Sequence, residues 1–242
     1  MNIRDENVLR ELNLYPLWVR RDTSAADAPE VSAPAGEVPL AAEVAIKPAP
    51  RQSESGSTST LNWPELKQTV HDCTACKLRA GCTQTVFGVG DEKAEWLFVG
   101  EGPGADEDVQ GEPFVGQAGK LLDNMLAAIK LKRGKNVYIA NIVKCRPPNN
   151  RTPEPDEIAN CMPYLQQQIA LIKPKLIVAL GKTAATSLLG RDATLGSLRG
   201  TLHDYHGTPL IVTYHPAYLL RSPAEKAKAW QDLCFAVQRM SE

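Results

Sequence analysis

Six cysteines and three short segments rich in glycine, acid, amide and imidazole hold the side chains of this 242-residue chain that could do chemistry. Cys73, Cys76, Cys145 and Cys161 give the spacing C-x2-C-x68-C-x15-C. Two ligands would sit on one segment, and the fold must bring two distant ones to them. Four thiolates suit a zinc ion or a cubane iron–sulfur cluster equally well on ligand count, and spacing alone decides neither. Cys82 is a spare that could compete for such a site. Cys234, in a helical run between Leu233 and Phe235, reads as an ordinary buried thiol.

The first of the three segments runs Gly100-Glu101-Gly102-Pro103-Gly104-Ala105-Asp106-Glu107-Asp108 and continues to Gly111-Glu112-Pro113-Phe114-Val115-Gly116. Its glycines let backbone come close to a ligand, yet neither GxxxxGK[ST] nor GxGxxG is present, which disfavours a nucleotide cofactor. Four acids between Glu101 and Asp108 suit general-base or cation-stabilising work better than a phosphate cradle. The second segment, Asn141-Ile142-Val143-Lys144-Cys145-Arg146-Pro147-Pro148, puts an amide at the end of an apolar strand, where it either satisfies a turn or reads a base edge. The third, Tyr214-His215-Pro216-Ala217-Tyr218-Leu219-Leu220-Arg221, puts a histidine ahead of a loop of exposed apolar residues. Such residues at a loop tip are costly unless they wedge into something.

The elements that must position these segments are legible from about residue 62. Short apolar strands at Glu95–Gly100, Asn136–Asn141, Lys175–Leu180 and Pro209–Tyr214 alternate with helical runs at about 117–131, 154–172, 182–190 and 223–240. Thr152 and Pro153 read as the start signals of the second helix. This alternation predicts an α/β fold, a three-layer α/β/α sandwich around a central, mostly parallel four-stranded sheet. Ligands bind such sheets beyond the carboxyl ends of the strands, where all three segments begin.

Ahead of this core, residues 23–61 are rich in Ala, Pro, Ser, Glu and Gly and read as a disordered linker. Residues 1–22 make a short amphipathic segment through Val8, Leu9, Leu12, Leu14, Leu17, Trp18 and Val19, either a capping helix or a docking peptide for a protein partner. The N-terminus has neither a signal-peptide core nor a spanning segment, so the chain is expected in the cytoplasm, away from membranes. In that reducing compartment the cysteines are expected as metal ligands, catalytic thiols or small core residues rather than disulfides. Charge is uninformative: the first 60 residues carry six bases against nine acids, leaving 21 against 19 for the rest. A near-neutral core that binds nucleic acid must do so with a local basic face.

Together the GEGPGADEDxxGEPFVGxAG, NIVKCRPPNNRTP and HPAYLLR stretches and the four cysteines resemble the family 4 uracil-DNA glycosylases of bacteria and archaea, over residues 62–240. The resemblance implies a monomeric catalytic domain over 62–242 that acts on uracil-containing DNA and carries a [4Fe–4S] cluster on Cys73, Cys76, Cys145 and Cys161. It implies a uracil pocket of Gly102, Glu107, Phe114, Asn141 and His215, with Glu101 and His215 as catalytic residues. Glu107 is expected against the C5 edge of uracil. Leu219, Leu220 and Arg221 are the expected wedge, and Lys144 and Arg146 the expected phosphate contacts. A related branch traps its substrate through a histidine near the proline-rich stretch. Arg146 to Arg151 contain none here, so turnover is expected. The rival reading is a non-catalytic iron–sulfur or zinc protein that binds DNA or docks a polymerase.

Overall fold

The computed structural model describes residues 61–241, so the expectations for residues 1–22 and for the linker up to residue 60 lie outside the described residues. Four strands carry the architecture: β2 (Trp96–Gly100), β3 (Val137–Asn141), β4 (Leu176–Leu180) and β6 (Thr208–Thr213). They pair in parallel in the order β3-β2-β4-β6. Two short antiparallel strands, β1 (Val89–Gly90) on β3 and β5 (His203–Tyr205) on β6, close the edges. The sheet is therefore six-stranded, with the expected four at its centre. The edge strands, of two and three residues, are too short to show a period in the sequence.

Nearly every residue of the central strands is buried, because helices cover both faces. Alternation divides them: Leu97, Val99, Ala140, Ile177 and Val212 face one side, and Trp96, Phe98, Ile139, Val178 and Ile211 the other. The first side packs on α5 (Pro155–Ile172) through Leu165 and Ile169 and on α6 (Lys182–Leu189) through Ala184 and Leu188. The second packs on α4 (Gln117–Ala128) through Leu122 and Leu126 and on α9 (Lys226–Ser241) through Leu233 and Ala236. Helices α1 (Trp63–His71), α2 (Leu78–Gly81), α3 (Ala105–Gln110), α7 (Leu195–Leu198) and α8 (Pro216–Arg221) complete the described set.

Two local expectations are corrected. Helix α5 starts at Pro155, not at Thr152 and Pro153. Glu154 is its N-cap and receives the Glu157 carboxylate on its own N–H at 2.7 Å, while Arg151 grips that buried carboxylate with two hydrogen bonds of 2.8 and 2.7 Å. Cys234 is exposed rather than buried, because Asp232, Leu233 and Ala236 take the sheet-facing side of α9 and the helical period turns Cys234 outward.

Candidate active site and cluster site

The carboxyl ends of the parallel strands β2, β3 and β6 lie along the same edge of the sheet, and the loops that leave them line one cleft of about 560 Å³. That volume suits a nucleoside-sized ligand. Glu101, Gly102 and Glu107 line it from the first segment, Phe114 from the loop before α4, and His215, Tyr218 and Arg221 from the third segment. Gly100 pairs with Asn141 in register. A side chain at position 100 would sit 2.5 Å from both the Asn141 Oδ1 and the Phe114 ring, so only glycine lets the amide and the ring meet at the strand ends. Asn141 is buried, and its Oδ1 has no hydrogen-bond partner. A buried acceptor left unpaired costs about 1–3 kcal/mol, which a ligand N–H would recover.

Phe114 is held in an unusual backbone. Its φ of 57° is the left-handed region, uncommon for a bulky residue. Arg133 donates to the Pro113 carbonyl at 2.8 Å and to the Phe114 carbonyl at 2.7 Å while pairing with Asp123. A Cβ at Gly119 would strike the Phe114 carbonyl at 1.8 Å. Arg133 lies outside the chemistry-bearing segments, and Gly119, which closes the GEGPGADEDxxGEPFVGxAG stretch, reveals its contact with Phe114 only in the fold. The ring of Phe114 stands 5.5 Å from that of His215, tilted by 33°.

His215 caps α8. Its Nδ1 accepts from the Ala217 N–H at 3.1 Å, which leaves the proton of the neutral ring on Nε2. Burial first, and the Arg221 charge second, push its pKa down to about 4, so the ring is neutral at physiological pH. Glu107 lines the cleft with its carboxylate already committed. Oε2 accepts from the Gly104 N–H at 3.0 Å, and Oε1 from Val115 and Gly116 at 2.9 and 3.0 Å. It ties the glycine-rich segment to the Phe114 loop. Asp108 is buried and ties the same segment to Thr83 and Gln84, which makes it structural.

Two expected DNA contacts are corrected. Lys144 is fully buried and donates to the Asn141 carbonyl at 3.0 Å and to Gln168 Oε1 at 2.6 Å, so its ammonium faces inward and cannot meet a phosphate. Leu219 is 1% exposed, because the third segment is a helix that turns Pro216 and Leu219 into the core. The surface of that helix carries Tyr218, Leu220 and Arg221. Arg146 is half-buried and donates to Asn150 Oδ1 at 2.8 Å.

Behind the Asn141 loop, Cys73, Cys76, Cys145 and Cys161 line one small cavity together with Leu78, Arg79 and Tyr164. The Lys144 N–H donates to Cys161 Sγ and the Tyr164 hydroxyl to Cys73 Sγ, each at 3.2 Å. Donors aimed at sulfur favour thiolate ligands. Burial, with Cys82 alongside, pushes the Cys145 thiol up. Among the described residues no three His, Cys, Asp or Glu side chains are arranged to grip a single ion.

The family model of the uracil DNA glycosylase superfamily matches residues 87–234. Type-4 uracil-DNA glycosylases of Archaeoglobus fulgidus and Thermotoga maritima are 44% and 45% identical, over 66% and 67% of this chain and 83% and 85% of theirs. That of Pyrobaculum aerophilum is 44% identical over 72% of this chain and 92% of its own. This chain belongs to the uracil DNA glycosylase superfamily, among the type-4 uracil-DNA glycosylases.

Proposed function

We propose that the protein flips uracil out of DNA and hydrolyses its bond to the sugar, leaving an abasic site and so initiating base excision repair. The observation that carries this reading is the buried, unpartnered Oδ1 of Asn141 at the end of β3, beside the Phe114 ring and the neutral His215. A duplex hides the glycosidic bond, so the base must leave the stack, and pocket contacts recover the cost. In the pocket Phe114 stacks on uracil. The Asn141 amide accepts from N3–H with Oδ1 and donates to O4 with its NH2. Uracil alone among the pyrimidines of DNA that lack a methyl offers this pair.

Cleavage builds positive charge on the sugar and negative charge on the departing base. The Glu101 carboxylate, at the cleft, stabilises the first and orients the attacking water. The Nε2–H of His215, fixed by the Ala217 hydrogen bond, donates to O2 and stabilises the second. A neutral donor suits this role, since it need not lose a proton before uracil arrives. Glu107 holds the two loops in register and crowds the C5 edge, where thymine carries its methyl. Leu220 and Arg221, on the outer side of α8, are the parts of the expected wedge free to enter the vacated stack.

Cys73, Cys76, Cys145 and Cys161 would hold a [4Fe–4S] cluster, whose part here is to cross-link the CxxC segment, the Asn141 loop and α5. A cubane gives each thiolate its own iron, so four sulfurs need only ring a shared cavity. Inhibition by free bases tests the pocket. Uracil should inhibit excision, and 3-methyluracil, which lacks the N3–H, should not. Equal inhibition by the two would contradict the role of Asn141.

A further inference from the structure

Tyr218 is 39% exposed at the mouth of the cleft, yet its ring is not free to turn. It stacks on Tyr214, with centroids 5.4 Å apart and planes within 9°. Tyr214 is clamped in turn: its hydroxyl donates to Glu225 Oε2 at 2.6 Å, and the Arg199 guanidinium lies 4.4 Å from its ring centre. Arg199 is locked by two hydrogen bonds to buried Asp232, at 2.7 and 2.8 Å, and Asp232 also accepts from Thr213 at the end of β6. The end of β6, the segment after α7 and helix α9 thus converge to hold one surface ring in a fixed plane.

The clamping side chains Tyr214, Arg199, Asp232 and Glu225 do not line the cleft, and a tyrosine with one solvated side has no need of them for burial. We infer that Tyr218 is a stacking platform for the nucleobase next to the flipped uracil. This rests on the proposed glycosylase function. A fixed aromatic plane receives any base at low entropic cost, because every base has a π-face and the ring is already oriented. The ligand is a stretch of strand with an unpaired or splayed base beside uracil.

The test uses single-stranded oligonucleotides with one uracil, whose 5′ or 3′ neighbour is either a natural base or an abasic tetrahydrofuran spacer. For the wild-type chain, one of the two spacers should lower kcat/KM about tenfold, the scale of one base–aromatic stack. Tyr218→Ala should show that loss with the natural neighbour and no further loss with the spacer, whereas Tyr218→Phe should match the wild type. Inhibition by free uracil should be the same in all three proteins. Additive losses from Tyr218→Ala and the spacer, or a wild type indifferent to both spacers, would overturn the platform. So would a weakened response of Tyr218→Ala to free uracil, which would put the ring in the pocket instead. A wild type that excises no uracil defeats the glycosylase reading alone. The platform is then judged by the same comparison of affinities for the oligonucleotides.

Discussion

Asn141→Asp tests the reading of the base edge with the smallest possible change. The two side chains have nearly the same shape, and the exchange only replaces the NH2 with an oxygen, so the fold should tolerate it. The site is packed: the amide is 2% exposed and lies against Gly100 and the Phe114 ring. Unmatched groups there cost the upper part of about 1–3 kcal/mol each, since water cannot reach them. Against uracil an ionised Asp keeps the bond to N3–H but sets an oxygen against O4, which predicts a fall in kcat/KM of about 30- to 150-fold. Against cytosine, Asn makes two mismatches, donor on amino group and acceptor on N3. Asp relieves one when ionised and both when it carries a proton, a form that burial favours. Discrimination between the two bases should therefore drop by at least about tenfold. The assay is alkaline cleavage at abasic sites in paired uracil and cytosine oligonucleotides, with Tm measured alongside. A folded variant with wild-type uracil rates that still ignores cytosine would show that Asn141 does not read the base.

Three further outcomes are expected. The anaerobically purified protein should be brown, with absorbance near 400 nm and about four irons per chain. Cys145→Ala should lose the iron, while Cys82→Ala keeps it; a colourless, fully active zinc protein would refute the cluster. For His215, whose folded pKa of about 4 lies below its ordinary 6.5, the unfolded chain binds more protons between those values. Stability should therefore rise with pH across that window, and His215→Gln should flatten the rise; an unchanged slope would mean that the ring is not held neutral by burial. Arg133→Met should release the Phe114 loop from its left-handed backbone and raise KM about tenfold with little loss of Tm, whereas an unchanged KM would show that the clamp is dispensable.

The sequence was informative where pattern and burial coincide. The apolar runs of the four central strands, bounded by Gly100, Asn141, Leu180 and Tyr214, were legible because parallel strands buried on both faces read as continuous apolar segments. The three chemistry-bearing segments therefore map to strand ends from the sequence alone. Side-chain direction was not legible. Lys144 reads as a surface base, but its chain turns inward to two acceptors that only the packing of α5 on the sheet brings near. The third segment reads as an exposed loop. Its six-residue helix, begun by His215 and Pro216, sends Leu219 inward and leaves Tyr218 at the mouth. Glu107 could be assigned to the pocket by its motif. That its oxygens are spent on Gly104, Val115 and Gly116 depends on a turn between α3 and α4 that no local pattern fixes.

Hydrolysis of the bond between uracil and deoxyribose separates an enzyme from a protein that only binds DNA. It is tested most directly by incubating the purified holoprotein with matched oligonucleotides containing uracil, thymine or cytosine at one position, and measuring both released free base and alkali-labile sites. Stoichiometric free uracil with an equal number of abasic sites, from the uracil strand alone and over many turnovers, is the result this account predicts. Binding of the uracil strand without release of base, or equal release from all three strands, would contradict it.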